Sequence, residues 1–187
     1  MKFNIVKTDL IHKGFILLKK IKVTLDSFPQ YTITKKVEVV ECKNSVGILV
    51  KETTTNTFLF TEQFRLPTTF SGGNGWILEI PAGTIDKGET SEEAVKREVL
   101  EELGYKVDSI EKIYEGYLSP GILTEQITVF YTEVTTNDKI GRGGGAKEEQ
   151  EDIKLVKREV NKAIADWEAF DAKSTIALQW YALNKHN

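Results

Sequence analysis

The first part of the chain alternates apolar and polar side chains with the two-residue period of β-strands. Ile21, Val23 and Leu25 alternate with polar residues, and the same period resumes after a turn at 27–30. The pattern predicts a small antiparallel sheet over residues 1–42, ahead of the main fold.

The remaining residues combine short strands with few helices. Apolar runs predict strands at 46–50, 58–65, 76–80, 107–117, 127–134 and 153–156. Apolar residues at helical spacing predict helices at 91–103, 158–167 and 174–184. A mixed sheet with few helices indicates an α+β fold, arranged as an α/β/α sandwich, and we assign residues 43–187 to it.

The segment from Thr90 to Gly104 has the clearest helix signals in the chain. Thr90 and Glu93 have the spacing of a capping box, which satisfies backbone N–H groups at the start of a helix. Gly104 stands where a left-handed C-cap is favoured. These signals predict one continuous helix over residues 91–103.

This helix concentrates carboxylates on one face. Glu98 and Glu102 are four residues apart, and Glu101 lies on the same side. Like charges at that spacing destabilise an isolated helix by about a few tenths of a kcal/mol per pair, and Arg97 offsets only part of this. A divalent cation would remove the repulsion, since carboxylate oxygens are the ligands that Mg²⁺ prefers. The alternative is a solvated acidic face, which is the usual meaning of a glutamate-rich helix.

Composition narrows the classes of function. The net charge of −3 argues against nucleic acid as the main partner, because no excess of Lys and Arg is available to replace counterions. The single cysteine, Cys42, excludes an internal disulfide and suits a reducing cytoplasm. The apolar run 15–18 is too short to cross a membrane or to form a signal-peptide core. We therefore expect a cytoplasmic protein.

The residues around the helix follow a fixed spacing: Gly83, five residues, Glu89, seven residues, Arg97-Glu98-Val99, one residue, Glu101-Glu102, one residue, Gly104-Tyr105. This is similar to the complete signature of the Nudix hydrolases. Seven fixed residues match by chance with a probability on the order of 10⁻⁸ to 10⁻⁹ per window. The resemblance therefore outweighs the solvated acidic face.

The resemblance implies a metal-dependent hydrolase that cuts a diphosphate linked to another group. It implies that Glu98 and Glu102 are catalytic metal ligands, and that the carbonyl of Ala82 completes the metal shell. Mg²⁺ is the implied ion, with Mn²⁺ as the alternative. Supporting roles fall to Glu89, Arg97 and Glu101.

Three further stretches resemble the branch of ADP-ribose pyrophosphatases and nucleotide-sugar pyrophosphatases. They are residues 62–65 with 78–83, residues 119–125, and residues 149–153 with 176–180. The resemblance implies a substrate-binding set consisting of Arg65, Glu79, Pro120 and Glu125. Arg65 suits a phosphate clamp because a guanidinium matches phosphate oxygens bidentately. The N-terminal sheet often builds a swapped homodimer in this branch, so we expect a homodimer.

A polar, glycine-rich stretch over residues 135–151 is predicted to lack regular structure. The resemblance implies that Glu149 is the general base and Glu151 a further metal ligand, with Glu148 as the alternative base. A mobile loop would deliver the base only when substrate and metals are present.

The substrate is left open between two nucleotide sugars. The leading expectation is hydrolysis of ADP-ribose to AMP and ribose 5-phosphate. The alternative is GDP-mannose or another nucleotide sugar, because GDP-mannose hydrolases also carry a Gly-Gly-Gly run like that at 143–145. A second alternative is a non-catalytic nucleotide-binding module, which would be expected to have lost glutamates of the signature.

Overall fold

The computed structural model describes residues 2–28, 31–146, 151–167 and 171–185. The strands are β1 Phe3–Lys13, β2 Leu17–Asp26, β3 Thr32–Glu41, β4 Ser45–Glu52, β5 Thr57–Phe64, β6 Trp76–Glu79, β7 Ala82–Thr84, β8 Glu111–Tyr117, β9 Gln126–Val134 and β10 Lys154–Glu159. The helices are α1 Ser91–Glu98, α2 Val160–Ala165 and α3 Ala172–Asn184. The chain forms two compact units, residues 1–44 with 117–126 and residues 45–116 with 127–187.

The first unit is built on a three-stranded antiparallel sheet in the order β1-β2-β3. The predicted N-terminal sheet is therefore confirmed. Residues 117–126 join it through Val40, whose N–H donates to the Ile122 carbonyl (2.9 Å) and whose carbonyl accepts from Thr124 N–H (3.1 Å). The sequence predicted a division at residue 42, which did not place residues 117–126 with the N-terminal sheet. That division stays a prediction.

The second unit contains a mixed sheet with the order β10-β5-β4-β9-β8, with β6 paired to β5 and β7 paired to β4. Strands β4 and β9 run parallel, whereas β4 pairs antiparallel with β5 and β7. The predicted α+β fold is confirmed. In the core, one apolar face of the sheet packs against α1 and the turn that follows it. The fully buried residues of this core include Val46, Ile48, Val50, Ala94, Val95, Val99 and Leu103.

The carboxylate-bearing helix is capped as predicted but is not one continuous α-helix. The Thr90 hydroxyl accepts from Glu93 N–H (3.2 Å), and the Glu93 carboxylate accepts from Thr90 N–H (2.9 Å). The α-helical hydrogen bonding ends at Glu98 and gives way to a π-helical turn over Val99–Leu103. Gly104 closes this turn in the left-handed region, with φ +76°. Apolar spacing did not reveal the π turn, because both kinds of turn bury the same face.

No helix in the described part of the chain is both long and apolar enough to cross a membrane.

Candidate active site

The carboxylate of Glu98 lies against strand β7. Val46 of β4 pairs with Gly83 of β7, which brings this short strand beside α1. A β-carbon on Gly83 would overlap the Glu98 carboxylate. The lack of a side chain at Gly83 therefore leaves room for Glu98, which is buried and only 7% exposed. Burial raises the pKa of Glu98 to about 7, although the neighbouring Arg97 partly lowers it.

Glu102, one helical turn further on, is buried without full compensation. The residue is 2% exposed, and its Oε2 is the one buried side-chain polar atom in the described residues that has no hydrogen-bond partner. Burial raises the pKa of Glu102 well above its ordinary value, and the nearby charges of Glu98 and Glu151 raise it further. A backbone hydrogen bond from Ala82 offsets only part of this. A buried carboxylate with an unsatisfied oxygen is a costly arrangement that a bound cation would relieve.

Arg97 connects the other carboxylates of the signature. Its Nε and Nη2 donate to the two oxygens of Glu89 (2.9 and 3.1 Å), which is a bidentate pairing. Its Nη1 donates to Glu98 (2.8 Å) and to Glu101 (3.0 Å), and Nη2 also donates to the Thr84 carbonyl (3.1 Å). One guanidinium therefore ties the loop before the helix, the strand β7 and the helix to each other.

A second ion-pair network surrounds Glu79, which is 2% exposed. Arg65 donates to it through Nε (2.8 Å), and the Arg65 side chain remains 40% exposed. The ammonium of Lys173 contacts the other carboxylate oxygen of Glu79 and also pairs with Asp171 (2.6 Å). Ser174 in the first turn of α3 accepts from Ile80 N–H (2.8 Å). These contacts fix the end of β6 and the residues leading to Ala82.

Lys173 was not identified from the sequence. In the sequence, Lys173 is recognisable only as a lysine in the first turn of a helix that begins after Asp171. A lysine at such a position is ordinarily solvated. Only the fold brings it to Glu79, 94 residues earlier in the chain.

The glycine-rich stretch is more ordered than predicted in its first part. Residues 136–138 form a 3₁₀ turn, and Lys139 pairs with Tyr105 in an isolated bridge. Glu151 folds back so that its Oε2 accepts from Ala146 N–H (3.0 Å). The predicted base Glu149 and its alternative Glu148 lie outside the described residues, so the predicted delivery of the base by a mobile loop stays a prediction.

The two remaining predicted residues, Pro120 and Glu125, belong to the first unit. Pro120 lines an open cavity of about 330 Å³ together with Val39, Tyr117 and residues 121–124. Glu125 is half-buried just before β9. Their predicted contacts with substrate stay predictions.

The donor set of the second unit fits a hard divalent cation. Among the residues that the structure describes, no three acidic, histidine or cysteine side chains are gathered closely enough to hold an ion as they stand. Glu98, Glu102 and Glu151 nevertheless act on one another electrostatically, and oxygen is the only donor they offer. Such a set suits Mg²⁺, which keeps several waters and needs few protein ligands.

Comparison with known proteins decides the family. The profile of the NUDIX domain matches residues 43–178, which include the whole carboxylate helix and its flanking glycines. The chain belongs to the Nudix family. The resemblance seen in the sequence is thereby confirmed, and the protein is a Nudix hydrolase.

This Nudix hydrolase is similar over nearly its whole length to several curated relatives. It is 33% identical over 182 residues to a GDP-mannose pyrophosphatase of Yersinia enterocolitica, covering 96% of this chain and 95% of the relative. A GDP-mannose pyrophosphatase of Yersinia pestis is 31% identical, covering 96% and 91%. One of Citrobacter koseri is 30% identical over 183 residues, covering 96% and 94%. The similarity therefore includes the N-terminal sheet as well as the Nudix domain.

Proposed function

We propose that this chain hydrolyses the pyrophosphate of GDP-mannose to GMP and mannose 1-phosphate. The observation that supports the chemistry is the pair of buried glutamates, Glu98 and Glu102, one of which has an unsatisfied oxygen. The full-length similarity to GDP-mannose pyrophosphatases supports the substrate, in preference to the ADP-ribose expected first. The non-catalytic alternative is set aside, because the chain is a Nudix hydrolase with every glutamate of the signature in place.

The proposed ion is Mg²⁺, with Mn²⁺ as a substitute, held by Glu98, Glu102, Glu151 and the carbonyl of Ala82. A bound divalent ion supplies charge neutralisation for the phosphate oxygens during hydrolysis. The chain's own contribution is to hold these oxygens in place. The Glu98 carboxylate fits into the space that Gly83 leaves by lacking a β-carbon, and the Arg97 guanidinium donates a hydrogen bond to it.

The proton of the attacking water needs a base, and we assign it to Glu149, with Glu148 as the alternative. Glu149→Gln and Glu148→Gln distinguish the two. The base variant should lower kcat by about 100-fold or more, while its neighbour should change it less than about threefold. Equal effects of the two variants would contradict the assignment.

Arg65 is the proposed phosphate clamp, because its side chain is 40% exposed while its Nε and Nη2 are both fixed by Glu79 Oε1 (2.8 and 2.6 Å). Both oxygens of Glu79 are engaged, by Arg65 and by Lys173. The predicted role of Glu79 in substrate binding would therefore be exerted through Arg65. Pro120 and Glu125 are the proposed contacts on the sugar side, to be tested by variants that change the preference among nucleotide sugars.

A homodimer is proposed for the N-terminal sheet. Strand β1 is exposed along its whole length, including large apolar side chains such as Phe3, Ile5 and Leu10. Residues 1–44 carry nine lysines and four carboxylates, whereas the whole chain has a net charge of −3. A basic sheet with exposed apolar residues favours an acidic partner surface, which a second copy of this chain offers. Sedimentation velocity should give twice the monomer mass; a monomer at micromolar concentration would contradict the dimer.

The cytoplasm is the proposed location, because the lone Cys42 suits a reducing compartment. We propose no nucleic-acid or membrane partner, since the chain as a whole is acidic.

The substrate is tested by a panel of GDP-mannose, ADP-ribose and UDP-glucose at matched concentrations with Mg²⁺. We expect kcat/KM for GDP-mannose to exceed the others by about tenfold or more, with GMP and mannose 1-phosphate as products. A preference for ADP-ribose would overturn the substrate and leave the chemistry. No hydrolysis of any of the three would contradict the proposed activity.

A further inference from the structure

The segment 140–145 is fastened to the end of the carboxylate helix by its backbone. The last carbonyls of a helix lack partners within the helix. Here they receive N–H groups from this segment. The hydrogen bonds are Ile140 N–H and Gly141 N–H to the Gly104 carbonyl (2.9 Å each), Gly144 N–H to the Glu102 carbonyl (2.9 Å) and Gly145 N–H to the Glu101 carbonyl (3.0 Å). The backbone of Glu101 and Glu102 is thus bonded to the glycine run.

This close approach requires glycine. At Gly143, with φ +72°, a β-carbon would lie 2.6 Å from the Glu102 carbonyl oxygen and 2.7 Å from the carbonyl carbon of Leu103. Both obstacles are backbone atoms of the helix end, which cannot rotate away. Any side chain at Gly143 would push the segment off the helix end.

The last glycine of the run, Gly145, lies directly against the side chain of Glu151. At Gly145, with φ +90°, a β-carbon would lie 2.6 Å from the Glu151 Cβ and 2.8 Å from its Oε2. The same carboxylate oxygen accepts from Ala146 N–H (3.0 Å), and Ile153 N–H donates back to the Gly144 carbonyl (3.3 Å). Glu151 is therefore held against the glycine run, and the glycine run is held against the helix.

We propose that Gly143–Gly145 is a positioning element that holds Glu151 and the helix carboxylates Glu98 and Glu102 as one metal-binding unit. The inference rests on the proposed function, because it assigns Glu151 to the same ion. It explains why a polar loop far along the chain contributes to a site built on a helix. Gly143 acts by permitting the approach of the backbones, and Gly145 by leaving room for the Glu151 side chain.

Binding of Mn²⁺ to the substrate-free protein, followed by the electron paramagnetic resonance of the free ion, tests the proposal. Gly143→Ala and Gly145→Ala should each weaken Mn²⁺ binding by about tenfold or more. The matched control is Gly72→Ala, which has a similar φ of +85° but open space around the new methyl group. It should bind Mn²⁺ as the wild type does. Wild-type Mn²⁺ affinity in both glycine variants of the run would overturn the proposal.

A double-mutant cycle separates positioning from general destabilisation. If Gly145 acts through the Glu151 carboxylate, Gly145→Ala should weaken Mn²⁺ binding in the wild type but not further in the Glu151→Gln background. Equal losses in both backgrounds would contradict the proposal. If Gly143→Ala does not fold, this cycle still tests the proposal. A β-carbon at Gly145 would meet side-chain atoms, whereas one at Gly143 would meet backbone atoms.

Hydrogen exchange of the metal-free protein gives a readout that is independent of hydrolysis. The amides of Gly144 and Gly145 should exchange slowly in the wild type and faster in Gly143→Ala, because their hydrogen bonds to the helix end are lost. Fast exchange of both amides in the wild type would overturn the proposal. If the wild type does not hydrolyse GDP-mannose but binds Mn²⁺ with the expected losses, the proposed substrate fails while the positioning role stands.

Discussion

The Glu98 carboxylate occupies the space that a β-carbon on Gly83 would need. The two residues belong to different elements, α1 and β7, and β7 is held in place by its pairing with β4. The Arg97 guanidinium donates to this buried carboxylate at 2.8 Å and partly offsets the rise of its pKa that burial causes. The glycine before the helix thus contributes space for the Glu98 carboxylate.

Gly83→Ala should therefore reduce catalysis much more than it reduces stability. The methyl group would displace the Glu98 carboxylate, and displacement of a group with the metal-binding role proposed for Glu98 costs about 100-fold or more in kcat, equivalent to ~3 kcal/mol. Steady-state kinetics with GDP-mannose and a urea unfolding curve measure the two effects. Activity within a factor of about three of the wild type would contradict the close approach of these residues.

Glu102→Gln should separate metal binding from the stability of the metal-free protein. Removing a buried carboxylate with an unsatisfied oxygen leaves the free energy of unfolding without metal at or above the wild-type value. Mg²⁺ at saturation should stabilise the wild type by about 1–3 kcal/mol but not the variant.

Thermal unfolding with and without Mg²⁺ measures this difference. Glu92→Gln is the matched control, because it removes an exposed carboxylate from the same helix. It should respond to Mg²⁺ as the wild type does. An unchanged Mg²⁺ response in Glu102→Gln would remove Glu102 from the metal site.

Arg97→Lys should lower activity although it keeps the charge. An ammonium cannot reproduce the bidentate pairing with Glu89 while also reaching Glu98 and Glu101. We expect kcat to fall by about 10- to 100-fold, with KM changed much less. Lys96→Gln on the same helix, where Lys96 donates only to the Asp108 carbonyl among the bonds described, is the control. Full activity of Arg97→Lys would mean that charge alone suffices.

Glu52 gives a pH-dependent contribution to stability that is separate from catalysis. Its side chain is buried; burial raises its pKa, but hydrogen bonds from Thr55, Lys157 and Thr54 outweigh this and lower it to about 2. Because the folded pKa is depressed, the contribution is present above the ordinary pKa of 4.5 and is lost as the pH falls towards 2.

Glu52→Gln should cost about 1–2 kcal/mol at pH 7 and progressively less below pH 4.5. Urea unfolding of both proteins at pH 7, 4 and 3 measures the difference. Glu115→Gln, which removes a half-exposed partner of Lys112, is the control and should be near neutral throughout. A constant difference between wild type and Glu52→Gln at all pH values would contradict the depressed pKa.

The parts of the site that local spacing encodes were predictable from the sequence. Thr90 and Glu93 predict the start of the helix, and Gly104 predicts its end. The four-residue interval between Glu98 and Glu102 places both carboxylates on one face. Each of these signals is carried by residue types within a few positions of each other. The predicted fold class followed from the same local periodicities.

The long-range contacts were not predictable from one sequence. The approach of Lys173 to Glu79 spans 94 residues, and nothing in either local pattern marks the partner. The bonds from Gly144 and Gly145 to the helix end join a backbone N–H to a backbone carbonyl, and every residue type except proline possesses both groups. The three consecutive glycines resembled a run in GDP-mannose hydrolases, but nothing in them indicated which backbone they approach, because the fold decides that contact.

The helix carboxylates are proposed to hold the divalent ion on which the cleavage of GDP-mannose depends. The most direct test compares the initial rate of GMP release from GDP-mannose in the wild type and in Glu98→Gln, each with Mg²⁺ and with a chelator. We predict rapid release by the wild type with Mg²⁺ only, and a rate lower by about 1,000-fold or more in the variant. GMP release by the wild type in the presence of the chelator, or a Glu98→Gln variant as active as the wild type, would contradict a divalent-ion-dependent reaction at the helix carboxylates.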